Sequence, residues 1–276
     1  LLSIVAIPIG NPSDITLRAI ETLRAADAII CEEVKEASIL LKRLEIKDKE
    51  LIPLNEHNEV ELVPSLMMRM FQNNLHLALI SDCGTPVFSD PGAHLVGHAA
   101  DYGIQVTPVP GASSLMAALS VLGVKLERFL FAGFLPTKAT ARRTEIEKLS
   151  AIPAALVFYE APHRIEETIA DLSAVLEPGR TLVVARELTK LFEQVAAMPL
   201  AEGPAWLAAD PNRRRGEFVL VVSGPPPRTG LDAEVERVLK ALLEELPVKQ
   251  AAKLAAAITG AHKNDLYRRA IDLKGG

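Results

Sequence analysis

The segment Leu77-Ala78-Leu79-Ile80-Ser81-Asp82-Cys83-Gly84-Thr85-Pro86-Val87-Phe88-Ser89-Asp90-Pro91-Gly92 constrains the fold more than any other stretch of this chain. A short, wholly apolar run that ends in glycine and proline reads as a strand buried on both faces, the mark of a parallel sheet. Nothing in a packed core asks for the small, acidic and turn-forming residues that follow it. In open α/β sheets ligands sit outside the carboxyl ends of such strands. A ligand is therefore expected at Asp82 to Pro86; the competing reading is a turn in which Asp82 and Thr85 satisfy local amides.

The same strand-turn-helix pattern recurs along the chain. Leu2 to Ile7 reads as a strand broken by Pro8-Ile9-Gly10-Asn11-Pro12, and Ser13-Asp14-Ile15-Thr16 then caps a helix to about Ala26, with Ile15, Ala19, Ile20 and Leu23 on one face. Ala28-Ile29-Ile30-Cys31 is a second strand, with a helix after it to about Leu44. A helix over Glu59 to Asn73 leads into the Leu77 strand, and another over Gly92 to Tyr102 leads into Gln105 to Pro110. Strands alternating with helices predict a mostly parallel, doubly wound sheet. Pro110-Gly111-Ala112-Ser113-Ser114 opens a small-residue helix to Leu122.

A second α/β half follows, with strands at Phe129 to Phe134, Ala155 to Tyr159, Thr181 to Ala185 and Glu217 to Val222, the last apolar on both faces and so central. Its helices fall at about Ala141 to Ser150 and Pro162 to Leu176. Pro225 to Gly230 reads as a linker, and Asp232 to Glu245, Val248 to Ile258 and Lys263 to Asp272 as a helical tail. The expected divisions are 1–114, 115–227 and 228–276. The tail resembles a small helix-turn-helix unit, although helical tails also carry dimer contacts.

Composition removes several classes of function. A net charge of −5 argues against coating nucleic acid by bulk electrostatics, so any RNA contact must be local. Two cysteines, Cys31 and Cys83, make neither a disulfide framework nor a zinc-ligand spacing. With no long apolar run and no basic-then-apolar leader in a sequence that begins at Leu1, the expected setting is cytoplasmic and away from membranes.

Pro8-Ile9-Gly10-Asn11 is too short for a dinucleotide fingerprint, which needs three spaced glycines. Gly10, Asp82 and Gly111-Ala112-Ser113 all fall at ends of expected parallel strands, so the fold would gather them along one sheet edge. Cys83 raises the reading of a nucleophile with His94 or His98 as base, against that of a small buried filler. Tyr159-Glu160-Ala161-Pro162-His163-Arg164 and Ala185-Arg186-Glu187-Leu188-Thr189-Lys190 put a dense ionisable set at two strand ends. Arg142-Arg143, Arg213-Arg214-Arg215 and Arg268-Arg269 are either solvated surface charge or phosphate contacts.

Taken in order, Ile7 to Asn11 with Asp14-Ile15-Thr16, Ser81 to Pro86 with Ser89 to Gly92, Pro108 to Ser114, Phe131 to Pro136, Phe158 to Arg164, Ala185 to Lys190 and Gly216 to Val219 resemble the ribosomal RNA small-subunit methyltransferase I family. That family is a branch of the tetrapyrrole methylase superfamily. The resemblance covers about residues 3 to 224. It implies two α/β domains of the tetrapyrrole methylase type with S-adenosylmethionine in the cleft between them, a homodimer, and methylation of a cytidine ribose 2′-hydroxyl in 16S ribosomal RNA. By motif, the cofactor would meet Pro8, Ile9 and Gly10, then Asp82, Gly84 and Thr85, then Ala112 and Ser113, with Tyr159, Phe218 and Val219 approaching from the second half. Arg142, Arg143, Arg164 and Arg186 are the candidate substrate contacts, and Glu160, Glu187 and Lys190 the candidate bases; no metal is called for. The sequence departs from the family at Glu32-Glu33-Val34-Lys35, where Glu-Asp-Thr-Arg is usual, and at Cys83, where alanine is common. Methylation of a small molecule such as a tetrapyrrole, or a non-catalytic assembly factor that binds RNA, are the alternatives.

Overall fold

A computed structural model describes residues 1–123, 126–226 and 233–275. Leu1–Gly224 forms one compact unit and Pro225–Gly276 another. The first unit opens with a parallel sheet whose strands are β1 (Leu2–Val5), β2 (Ala28–Cys31), β3 (Glu50–Pro53), β4 (Leu77–Leu79) and β5 (Val106–Val109). They lie in the order β3-β2-β4-β1-β5. Helices α1 (Leu17–Ala25), α2 (Val34–Arg43), α3 (Glu59–Asn73) and α4 (Ala93–Ala99) make the connections. Ile4 of β1 stands opposite Leu79 of β4 on one side and Pro108 of β5 on the other, so these three neighbours end level with one another.

β2 and β4 are wholly apolar and wholly buried because both sheet faces are covered there. Leu2, Ile30, Leu77 and Leu79 point into a core with Met67 and Met70 of α3, while Val5, Ile29 and Ile80 pack on Leu23 of α1 and Leu41 of α2. α1 starts where Thr16 accepts from Ala19 N at 3.1 Å, the N-cap bond that a residue of this type supplies to an otherwise unpaired amide.

α5 (Ser114–Ser120) leads into a mixed sheet of β6 (Phe129–Phe134), β7 (Ala155–Glu160), β8 (Thr181–Arg186), β9 (Gln194–Pro199) and β10 (Phe218–Val222) in the order β6-β7-β10-β8-β9. β10 is the central strand and buried at every position, as its unbroken apolar run requires. α6 (Ala139–Ser150), α7 (Ile165–Val175) and α8 (Gly203–Ala208) accompany this sheet. α5 packs against the sheet with Leu115 and Ala118, joined by Leu122 just after it, in a cluster that holds Val157, Val219 and Ile9.

Strands β3 and β9 and helix α8 have no counterpart in the sequence reading. Glu50-Leu51-Ile52-Pro53 and Gln194 to Pro199 are edge strands, mostly part-exposed, with proline and alanine where buried strands carry branched residues. The second unit holds α9 (Ala233–Glu245), α10 (Val248–Thr259) and α11 (Lys263–Gly275) around Leu239, Leu243, Ala252, Ala255, Leu266 and Ala270. Gly260 ends α10 at φ +72°, a left-handed position. The linker expected at Pro225 to Gly230 lies, from Pro227 onward, outside the described residues.

Candidate functional site

Because β4, β1 and β5 are adjacent and end level, the turns leaving them converge on one edge of the first sheet. Ile7 N donates to Gly84 O at 2.8 Å, and Thr85 Oγ1 donates to Ala112 O at 3.1 Å, which stitches the three turns together. Gly84 sits at φ +74°, and a Cβ there would lie 3.2 Å from Ile9 Cγ2. Only glycine holds that backbone against its neighbour without strain. Further along the turn, Val87 at φ +75° and Ser89 at φ +68° occupy the left-handed region without being glycine, a strain of the kind that clusters at ligand sites.

The ends of β7, β8 and β10 face this edge across a cleft of about 850 Å³. Thr85, Phe88 and Ser113 line one side; Tyr159, Phe218 and Val219 line the other. Phe88 and Phe131 have ring centres 5.3 Å apart, Phe131 meets Tyr159 edge-on at 4.8 Å, and Ser114 Oγ donates to the Tyr159 oxygen at 2.9 Å. A smaller cavity of about 270 Å³ adjoins the cleft, and Ile9, Cys83 and Glu217 line both.

Carboxylates give the cleft its electrostatic character. Asp90, on its wall, has its pKa pushed up to about 6 by burial and by the charges of Glu32 and Asp82, against a hydrogen bond from Ser81. Burial together with Asp82, Glu33 and Glu56 raises Glu32 as well. Cys83 has an exposed edge, but burial and the Glu217 and Asp90 charges push its thiol up to about 11. It stays protonated at neutral pH and is a poor nucleophile. The proposed partner is also engaged elsewhere, since His98 Nδ1 bonds the His94 carbonyl at 2.8 Å.

The residues singled out in the sequence divide between the two cavities. Ile9, Gly84, Thr85, Ser113, Tyr159, Phe218 and Val219 line the main cleft, whereas Pro8, Gly10 and Asp82 line the smaller one. Ala112 stands behind the wall, its carbonyl holding Thr85. Asp82 accepts from Glu33 N at 3.2 Å and so ties the β4 turn to the start of α2. Asp90 and Glu217 were missed as site residues. Both stand inside motifs already noted, and only the spatial gathering of turns sets them apart from ordinary turn and surface acids.

The four arginines all have partners within the fold. Arg142 is 1% exposed, with Nε on Asp171 at 2.6 Å and Nη2 on Glu167 at 3.0 Å, so it joins α6 to α7. Arg164 donates to the carbonyls of Leu135 and Pro136 and pairs with Glu160 at 3.3 Å. Arg186 is buried and bonds the Arg215 carbonyl and Gln194. A run of arginine reads as surface charge in one dimension, but these three guanidiniums find acceptors inside the fold. Arg143 alone of the four is largely exposed, and it too bonds Asp171, at 2.6 Å.

The three candidate bases are also engaged. Glu160 is buried and accepts from Thr168 Oγ1 at 2.5 Å and Ala161 N at 2.8 Å. Burial opposes ionisation of Glu187, but the Glu217 amide, Lys190 and Arg186 outweigh it and lower the pKa. Lys190 bonds Glu187 at 3.0 Å and Glu217 at 2.9 Å. Burial alone would lower its pKa, yet those two carboxylates raise it, so the amine stays an ammonium and cannot act as a base at neutral pH. Its stem is held against the first turn: Asn11 N donates to Thr189 Oγ1 at 3.0 Å, and a Cβ on Gly10 would fall 2.5 Å from Lys190 Cγ.

Comparison with known proteins agrees with this geometry. Residues 1–204 match the Tetrapyrrole (Corrin/Porphyrin) Methylases model, and residues 229–274 match the RsmI C-terminal HTH domain. Ribosomal RNA small subunit methyltransferase I of Pseudomonas aeruginosa is 46% identical over 99% of this chain and 98% of its own, and that of Escherichia coli O157:H7 is 42% identical over 99% and 96%. The chain belongs to the ribosomal RNA small subunit methyltransferase I family. It is an S-adenosylmethionine-dependent methyltransferase of the tetrapyrrole methylase fold. Among solved structures, diphthine synthase superposes with a TM-score of 0.60 at 15% identity, over 81% of this chain and 89% of its own. Uroporphyrin-III C-methyltransferase of Thermus thermophilus, solved with S-adenosylhomocysteine, gives 0.56 at 17%, over 80% and 96%.

The residues present suit a methyl donor of this kind. A mostly apolar cleft lined by Phe88, Leu115, Met116 and Tyr159 offers flat surface to an adenine, and glycine turns bring backbone amides and carbonyls to its edge. Asp90 supplies negative charge for a ligand that carries both an ammonium and a sulfonium.

Proposed function

We propose that this chain methylates the ribose 2′-hydroxyl of a cytidine in the 16S RNA of the small ribosomal subunit, acting as a cytoplasmic homodimer. The observation that carries the reading is the convergence of three strand-end turns of the first sheet on a cleft closed by the second, in a chain whose relatives are named small-subunit RNA methyltransferases. The two walls come from the halves 1–114 and 115–227. S-adenosylmethionine, when bound, supplies a methyl on sulfonium that is already activated, so what the protein must add is alignment and a place for the hydroxyl proton. Ile9, Gly84, Thr85, Ser113, Tyr159, Phe218 and Val219 hold the donor; Pro8, Gly10 and Asp82 brace the turns that carry them.

Glu217 takes the proton. Glu217 lines both cavities, its carboxylate is held by the Lys190 ammonium at 2.9 Å, and among the described residues it is the one acid on the shared wall. Glu217→Gln should lower kcat by about two to four orders of magnitude while leaving the calorimetric affinity for S-adenosylmethionine within twofold. An unchanged kcat removes Glu217 from the reaction. The reading as a whole is tested by mass spectrometric mapping of ribose methylation in small-subunit RNA from cells with and without this gene. Loss of one 2′-O-methylcytidine supports it, and an unchanged ribose map overturns it.

A further inference from the structure

The 270 Å³ cavity beside the cofactor cleft is too small for the methyl donor and is walled quite differently. One wall is the α2 face carrying Glu36, Leu40 and Arg43, which recur at the i, i+4 and i+7 spacing of a single helix side. Across from it stand Pro8, Gly10 and Pro12 of the first turn. Asp82 and Lys190 line it too, and Glu217, which lines both cavities, lies where this one meets the cleft.

We propose that this second cavity receives the target nucleoside, and that Glu36 and Arg43 of α2 read its base. The inference rests on the methyl-transfer reading of the adjoining cleft. An acceptor hydroxyl must come within in-line reach of the methyl, and the shared wall of Ile9, Cys83 and Glu217 is where the two compartments meet. Sequence-specific RNA recognition works on unstacked bases, held by flat contacts on their faces and hydrogen bonds on their edges. Leu40 and the Pro8 and Pro12 rings supply such faces.

Cytosine presents an amino donor beside two acceptors. A carboxylate accepts from that amino group, and a guanidinium donates to the acceptors. Glu36 and Arg43 supply this pair, and among the described residues neither side chain makes an ion pair or hydrogen bond that a ligand would have to break. Uracil, with a carbonyl in place of the amino group, would set one acceptor against the carboxylate. The second cavity therefore discriminates as well as binds. It also gives the RNA a contact that Arg142 and Arg186, enclosed in the second half of the fold, cannot provide.

The test uses the full-length protein, S-adenosylmethionine and small subunits that lack the modification, carrying either cytidine or uridine at the mapped target. Arg43→Ala and Glu36→Gln should each lower kcat/KM on the cytidine substrate by about tenfold or more, with S-adenosylmethionine affinity within twofold of the parent. Glu36→Gln should also narrow the preference for cytidine over uridine, because an amide can donate to a carbonyl. Lys42→Ala, the neighbouring exposed cation outside the cavity, should leave kcat/KM unchanged. If either cavity variant fails to fold, Arg43→Lys and Glu36→Asp, which keep charge but not geometry, are expected to show the same losses. Parental kcat/KM and parental base preference in the cavity variants overturn the inference while leaving methyl transfer intact. A parent protein that binds the donor but methylates no ribose removes the functional reading and this inference with it.

Discussion

Asp90 is the side chain whose ionisation bears most directly on the cleft. A carboxyl titrating at about 6 beside Glu32 and Asp82 is largely ionised at neutral pH and protonated a unit or so below its pKa. A cationic ligand in the cleft favours the ionised form, so binding should release a proton and affinity should rise as the pH climbs through about 6. Isothermal titration between pH 5 and 8, in buffers of different ionisation enthalpy, is expected to register that proton. Asp90→Asn should bind more weakly at pH 7.5 and lose the pH dependence. Arg142 belongs to a different class, because its partner Asp171 is also buried and would keep only the largely exposed Arg143 once the Arg142 guanidinium is removed. Arg142→Ala should therefore cost about 1.5 to 3 kcal/mol in urea unfolding, without changing donor affinity in the protein that remains folded. The sequence made the first of these roles partly legible: Asp90 lies in the motif that drew attention, but its burial beside Glu32 depends on two strands meeting. For Arg142 nothing in the residue order distinguishes an enclosed guanidinium from a solvated one, because its acceptors come from another helix.

Legibility was best where an element is buried on both faces. β1, β2, β4 and β10 announce themselves as short apolar runs, and the neighbouring turns were readable because glycine and proline mark them. Edge strands β3 and β9 carry no such signal, and the adjacency of β4, β1 and β5 that creates the site depends on topology beyond local pattern. One contact between elements deserves a direct probe. Glu59 at the start of α3 is buried, and its Oε1 accepts from Gly92 N at 3.1 Å, His94 N at 2.8 Å and Leu95 N at 3.3 Å. It thereby caps α4 from outside and fixes the far end of the strained turn through Val87 and Ser89. Glu59→Ala leaves three amides without that acceptor and should cost about 1.5 to 3 kcal/mol of stability. Donor affinity should fall with it, and hydrogen exchange across residues 87 to 95 should quicken well before the rest of the sheet responds. Uniform exchange across both regions would show that the clamp is not local.

The whole molecule separates the chemistry from a second, helical unit. Every residue lining the two cavities falls within Leu1–Gly224, while α10 and α11 carry exposed Lys249, Lys253, Lys263 and Arg268 on a unit that matches a helix-turn-helix model. A chain ending at Gly224 should keep its affinity for S-adenosylmethionine. It should lose affinity for the small subunit, together with part of the salt dependence that those cations impose on RNA binding. Equal subunit affinity with and without the tail, measured by filter binding over a salt series, would assign RNA capture to the first unit alone. The central claim is ribose methylation by the cleft, and it is tested most directly by incubating the purified full-length chain with methyl-labelled S-adenosylmethionine and unmodified small subunits. Nuclease digestion and mass spectrometry then locate the label. The account predicts a single 2′-O-methylcytidine in the 16S RNA; label on a base, on protein or nowhere would contradict it.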